Sequence, residues 1–113
     1  MPPDADRDGR DAEATHLVAV EGDRVVGTCR LIFRGRTARL GRLAVDPAAR
    51  RRGVGAALLR EAAEAARRVE AERIELHAQT YARELYEREG YAGHGGEFVE
   101  EGIPHQAMRK SLV

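Results

Sequence analysis

One stretch constrains this chain more than any other: Leu43-Ala44-Val45-Asp46-Pro47-Ala48-Ala49-Arg50-Arg51-Arg52-Gly53-Val54-Gly55-Ala56-Ala57-Leu58-Leu59. A strand pattern stops at Pro47, a loop rich in arginine and glycine follows, and a helical pattern starts at once. The first turn of a helix has backbone N–H groups without intrahelical partners, and the helix dipole makes that end positive. Such a junction suits a phosphate or pyrophosphate. Gly53 and Gly55 let an anion approach the backbone, and Arg50, Arg51 and Arg52 add charge. Two common phosphate loops are excluded. No Gly-Lys-Ser/Thr follows the glycines, and Gly53-Val54-Gly55-Ala56-Ala57-Leu58 lacks the third small residue of the dinucleotide fingerprint.

The flanking sequence supplies a mixed sheet. A short apolar strand over residues 16–20 and a β-branched strand over 25–33 are joined by the turn-forming Glu21-Gly22-Asp23-Arg24 and predict a hairpin. Residues 37–45 form a third strand. Alternation there puts Ala38, Leu40 and Arg42 on one face and Arg39, Gly41 and Leu43 on the other. Gly41 suggests a bulge or a close backbone approach. Residues 54–70 carry an apolar stripe at Val54, Leu58, Ala62, Ala65 and Val69, which predicts a helix with Arg60–Glu64 and Glu64–Arg68 pairs on its polar side. A strand over 73–78 and a helix over 81–89, capped by Thr80 and stopped by Gly90, come next. A strand from Tyr91, interrupted at Gly95-Gly96, continues through 97–100. Gly102-Ile103-Pro104 is expected to turn the chain into a last strand over 106–112. The order β-β-β-α-β-α-β-β predicts an α+β (mixed α/β) domain, a mostly antiparallel sheet with helices packed on it.

Length and composition close off other classes. With 113 residues there is room for one domain. Residues 1–13 read as a flexible acidic lead-in and 14–113 as the folded domain. The start is acidic, without the basic and apolar blocks of a secretory signal, and no apolar run reaches bilayer length, so a cytoplasmic location without membrane contact is expected. The lone Cys29 removes intramolecular disulfides and cysteine-rich zinc sites, and no metal is expected. Nineteen basic residues balance nineteen acidic ones, and no stacking aromatics accompany the arginines, which argues against nucleic acid as a partner.

The run Arg50-Arg51-Arg52-Gly53-Val54-Gly55 matches the acyl-CoA signature Gln/Arg-x-x-Gly-x-Gly/Ala, and Leu43-Ala44-Val45-Asp46-Pro47 before it and Ala57-Leu58-Leu59 after it resemble the Gcn5-related N-acetyltransferases (GNAT). The resemblance extends over residues 14–110. The ending, residues 100–110, and Asp11-Ala12-Glu13-Ala14-Thr15-His16 near the start are similar to the ElaA/YjcF-like subgroup. This resemblance implies an acetyl-CoA-dependent N-acetyltransferase acting on a primary amine, with acetyl-CoA as cosubstrate. Main-chain groups of Leu43, Ala44 and Val45 would face the acetyl and pantetheine parts. The N–H groups of Arg51, Arg52, Gly53, Val54, Gly55 and Ala56 would hold the pyrophosphate, with Arg50 at the signature's first position. Gln79 falls where many members have an Asn touching pantetheine, and Tyr86 where a tyrosine protonates the departing thiolate.

A general base is not marked. The third strand has no Glu where many members carry one. His77, Glu75 and His105 are the candidates, and His77 is either the base or a hydrogen-bonded sheet histidine. His105 lines the acceptor pocket or else holds the last hairpin. Tyr86 on its own would read as a core aromatic. Complete members begin with a further strand and one or two helices, whereas this chain reaches the hairpin by His16. The expectation is therefore a sequence that starts at an internal position; if the chain is instead naturally short, it exposes an apolar face that a homodimer would cover. The alternative to an enzyme is a non-catalytic acyl-CoA-binding or dimerising module.

Overall fold

The computed structural model describes residues 14–113, and the expected acidic lead-in over 1–13 lies outside the described residues. The elements are β1 (Ala14–Glu21), β2 (Arg24–Arg34), β3 (Thr37–Val45), α1 (Val54–Arg68), β4 (Arg73–Gln79), α2 (Arg83–Arg88), β5 (Ala92–Glu100) and β6 (Ile103–Ser111). One six-stranded sheet runs in the order β1-β2-β3-β4-β6-β5. All its pairings are antiparallel except β3 with β4. This is the mixed architecture that the alternating patterns predict. No described helix is long and apolar enough to cross a membrane.

α1 lies against the sheet through Val54, Leu58, Leu59, Ala62, Ala63 and Ala66. The expected stripe holds through Ala62 and then departs: Ala66 is buried while Val69, just past the helix, is 59% exposed. Burying Leu58 and Leu59 contributes roughly 1.5–3 kcal/mol each. Their fit depends on Gly27 of β2. A Cβ there would stand 2.8 Å from Val54 Cγ1 and 2.9 Å from Leu58 Cδ1, so only glycine lets α1 come this close. The expected i,i+4 pairs at Arg60 and Glu64 do not form. Arg60 grips Glu89 with two bonds of 3.1 Å, and Glu64 pairs with Arg67 at 3.3 Å.

Three local expectations are corrected. Thr80 does not cap the second helix: residues Thr80–Ala82 form a 3-10 turn, Ala82 is the N-cap of α2, and Thr80 Oγ1 is buried without a partner among the described residues. The last hairpin turns at Glu101 and Gly102, both at positive φ, which is the two-residue geometry that matches strand twist, so Ile103 and Pro104 already belong to β6. Finally, Gly95-Gly96 does not interrupt β5; the strand continues through a register shift between His94 and Phe98.

Candidate active site

The cleft begins where the sheet comes apart. β3 and β4 pair only at residues 37–39 with 73–75. Beyond that point β4 stays with β6 through the Gln79–His105 pair, while β3 follows β2. A bulge marks the divergence. Thr28 faces Ala44 and Arg30 faces Gly41, so Arg42 and Leu43 together oppose Cys29, and Arg42 takes φ 59°. The extra residue reverses the alternation. Leu43 and Val45 therefore pack on the core with Ala38 and Leu40, and Arg42 does not share their side as simple alternation predicts. Gly41 correctly signalled an irregularity, but the bulge itself is one residue further on.

Between the two lips opens a cleft of about 1130 Å³. Its floor and mouth are the loop after β3. Asp46 organises the loop entry: its Oδ1 accepts from the Ala48 amide at 2.9 Å, its other oxygen is held by Arg24, and its own amide donates to Val26 C=O at 2.8 Å. Ala49 is buried beneath. Arg51 and Gly53 then take φ of 67° and 80°. Positive-φ residues set among ordinary ones make the backbone concavity that binds anions. Gly53 is the N-cap of α1 and supplies no side-chain cap, and the first bond across the cap runs from Ala57 N–H to Gly53 C=O at 2.9 Å. Among the described residues, the amides of residues 51–56 thus donate to no protein carbonyl. At Gly55 a Cβ would meet Leu85 Cδ2 at 3.4 Å, an ordinary contact, which accounts for a signature that accepts either glycine or alanine there.

Of the residues singled out from sequence, Leu43, Val45, Arg50, Arg51, Gly53 and Val54 line this cleft. Gly55, Ala56, Gln79, Tyr86, His77 and His105 line it too. Ala44 and Arg52 do not. Ala44 is exposed, and the Arg52 guanidinium turns away to Glu21 Oε1 at 2.8 Å.

The other wall offers side chains. Tyr86 of α2 is buried, 6.1 Å edge-to-face from Tyr91. Burial, then the nearby Tyr81 and Cys29, raise its pKa, so the phenol keeps its proton at neutral pH. Cys29 is buried and its thiol is pushed up to about 11 by burial, which leaves it protonated and inert as a nucleophile. His77 of β4 stands 3.0 Å through Nδ1 from Glu100 Oε1, with the Phe98 ring edge-on at 5.0 Å. A carboxylate only accepts, so Nδ1 carries the proton and Nε2 keeps its lone pair in the neutral ring. Arg39 Nη2 approaches that Nε2 at 3.5 Å. His105 is buried, its Nδ1 donating to Ile103 C=O at 2.7 Å and its ring stacked on Phe98 at 6.0 Å. Sequence reasoning missed Arg34, Arg39 and Leu85, and it read Glu100 as half of an exposed acidic pair. The first two were within reach, since their alternation on β2 and β3 puts them on one face; Leu85 and Glu100 depend on how α2 and β5 dock.

Sheet splay, bulge, uncapped helix start and buried tyrosine thus meet around one cleft. The profile of the acetyltransferase (GNAT) domain matches residues 5–112, and the chain belongs to that family. It is 32% identical over 111 residues to the uncharacterized N-acetyltransferase YjcF of Bacillus subtilis (strain 168), covering 97% of this chain and 79% of that protein. A crystal structure of an N-acetyltransferase candidate from Lactobacillus plantarum superposes with a TM-score of 0.83 at 29% identity, over 100% of this chain and 80% of that one. Escherichia coli ElaA superposes with a TM-score of 0.80 at 24% identity, over 96% of this chain and 76% of that one. The relation to YjcF that the terminal segments suggest is therefore present along most of the chain, and the likeness to ElaA is one of fold.

Proposed function

We propose that this chain is an acetyl-CoA-dependent N-acetyltransferase that moves acetyl to a primary amine by direct attack on the thioester. The observation that carries the reading is the set of amides at residues 51–56, unengaged among the described residues, at the mouth of a cleft that also contains Tyr86. Those amides, with Arg50 and Arg51, would hold the pyrophosphate. The pantetheine arm would run strand-fashion between β3 and β4, along Leu43 and Val45 on one side and Gln79 on the other. Main-chain donors at the bulge would polarise the acetyl carbonyl.

In this reading the acceptor attacks as the neutral amine, His77 Nε2 takes the one proton its nitrogen must lose, and Tyr86 regains from solvent the proton it gives up in the step that follows. The nitrogen lone pair forms the C–N bond, the C–S bond breaks, and the Tyr86 hydroxyl gives its proton to the departing thiolate. The raised pKa of Tyr86 supports the acid role, because the group must be protonated beforehand. The protonated, buried Cys29 supports direct transfer over an acyl-cysteine intermediate. His105 would border the acceptor.

Calorimetry with acetyl-CoA and its desulfurised analogue, paired with thiol release against a panel of amines, tests the proposal. Binding together with amine-dependent release supports the enzyme. Binding without release from any amine supports a non-catalytic acyl-CoA module instead. No binding removes both.

A further inference from the structure

The chain's arginines divide into two populations. On the outer surface they meet carboxylates: Arg24 with Asp46, Arg36 with Glu72, Arg52 with Glu21 and Arg83 with Glu87. Outside the cleft, only Arg109 among the described arginines lacks such a partner. The cleft is mixed: on its α1–α2 side Arg60 pairs with Glu89 and Arg88 with Glu84. Among the described residues, Arg34, Arg39, Arg42, Arg50 and Arg51 have no carboxylate partner, although all five line the cavity. Arg50 and Arg51 sit at the proposed pyrophosphate loop. Arg34, Arg39 and Arg42 belong to β2 and β3, at the other end, and a cofactor phosphate at the loop does not account for them.

Their position relative to His77 is informative. Ile32 of β2 pairs with Arg39 of β3, and Arg39 pairs with Glu75 of β4, so Arg34, Ile32, Arg39 and His77 share the sheet face bearing the acceptor side of the cleft. Arg39 Nη2 lies 3.5 Å from His77 Nε2. Gly41, next along the same face, leaves open space, since a Cβ there would meet nothing within 4 Å. Glu101 also lines the cavity and has no partner among the described residues, which gives an ammonium group somewhere to go. The acidic side chains are too few for a polyamine, because Glu100 is already bonded to His77.

We infer that the acceptor is a zwitterion, an α-amino acid whose free carboxylate is held by Arg39 and Arg34 while its amine faces His77. This rests on the N-acetyltransferase reading above. The closeness of Arg39 to the candidate base sets the class: the anion and the nucleophilic nitrogen must lie about one carbon apart, as in an α-amino acid. Guanidinium groups bind carboxylates through paired charge-assisted hydrogen bonds, which gives orientation as well as affinity.

The test compares matched acceptors on the full chain: L-methionine with 3-(methylthio)propylamine, L-phenylalanine with phenethylamine, and each amino acid with its carboxamide. Thiol release is measured and kcat/KM is expressed per neutral amine. The acids should exceed their partners by about tenfold or more, the size expected when a site built for a polar group meets an analogue lacking it. Arg39→Gln should narrow that ratio towards one, and Arg39→Lys should restore part of it. Because the ratio is taken within one variant, a general loss of activity does not imitate the effect; thermal melting confirms folding. Equal or better use of the decarboxylated amines, or an unchanged ratio in Arg39→Gln, overturns the inference. Absence of release from every pair also overturns it. Acetyl-CoA calorimetry on the same sample then distinguishes the cases: retained binding leaves the cofactor site standing, and lost binding removes the underlying reading as well.

Discussion

The two walls of the cleft work by different means. The wall formed by β3, its loop and the start of α1 presents main chain. Its special residues are glycines and two positive-φ arginines, Arg42 and Arg51, and the side chain of Arg52 within it is committed to Glu21. The wall formed by β4, α2 and the β5–β6 hairpin presents side chains: His77, Gln79, Tyr86 and His105. Buried polar atoms without partners among the described residues, Thr80 Oγ1, Arg83 Nε, Tyr91 OH and Gln106 Oε1, fall on this second side. Around the loop the first wall is thus defined by backbone shape, which tolerates side-chain exchange except at glycine; Arg39, further back on β3, is the side-chain exception. The second is defined by individual groups, each replaceable only at a specific chemical cost.

This contrast predicts which substitutions matter. The largest effect is expected at Gly53, whose φ of 80° suits glycine and whose position would put any carboxylate among phosphates. Gly53→Glu should weaken acetyl-CoA binding by about 100-fold or more in calorimetry, because a charge of the wrong sign would sit at the anion site. Affinity within a few-fold of the parent breaks the account of the first wall. On the second wall, Tyr86→Phe should lower kcat by about 100-fold, the scale of a lost general acid, with acetyl-CoA affinity nearly intact. An unchanged kcat would reduce Tyr86 to packing against Tyr91.

Next in size is the seating of α1. Gly27→Val forces branched carbons into Val54 and Leu58 and should destabilise the fold by about 1–3 kcal/mol in chemical denaturation. Alkaline pH probes the buried core behind the second wall. Cys29 is raised from 9.0 to about 11, and burial also raises Tyr91. The folded state binds these protons more tightly than the unfolded chain does. Stability is therefore full below pH 9, the ordinary thiol value, and falls as pH climbs towards 11. Melting temperatures across this range should decline, and Cys29→Ala should flatten the first part of the decline. The smallest effect belongs to Arg52→Ala: an exposed pair contributes under about 1 kcal/mol, and acetyl-CoA affinity should stay within about twofold.

The sequence made the first wall legible because its determinants are local. Pro47 ends the strand pattern, the glycines mark the loop, and the stripe from Val54 announces the helix within one short stretch. The order of strands and helices along the chain was equally accessible from the alternating patterns. What escaped depended on distant pairings. The bulge at Arg42 and Leu43 is a property of the β2–β3 register and reverses which side chains face inward. The bond of Arg60 to Glu89 needs α2 docked beside α1, so the local i,i+4 reading selected the wrong partner. Likewise, Glu100 meets His77 across 23 residues of sequence, through β6, and no local spacing indicates it.

The most direct test of the backbone-built site follows individual amides by NMR while acetyl-CoA is added. The account predicts that the largest shifts, and slowed hydrogen exchange, fall on residues 51–56, with smaller changes along Leu43 and Val45. If those amides stay unmoved while saturation occurs, or if the changes gather only around His77 and His105, the central claim is contradicted.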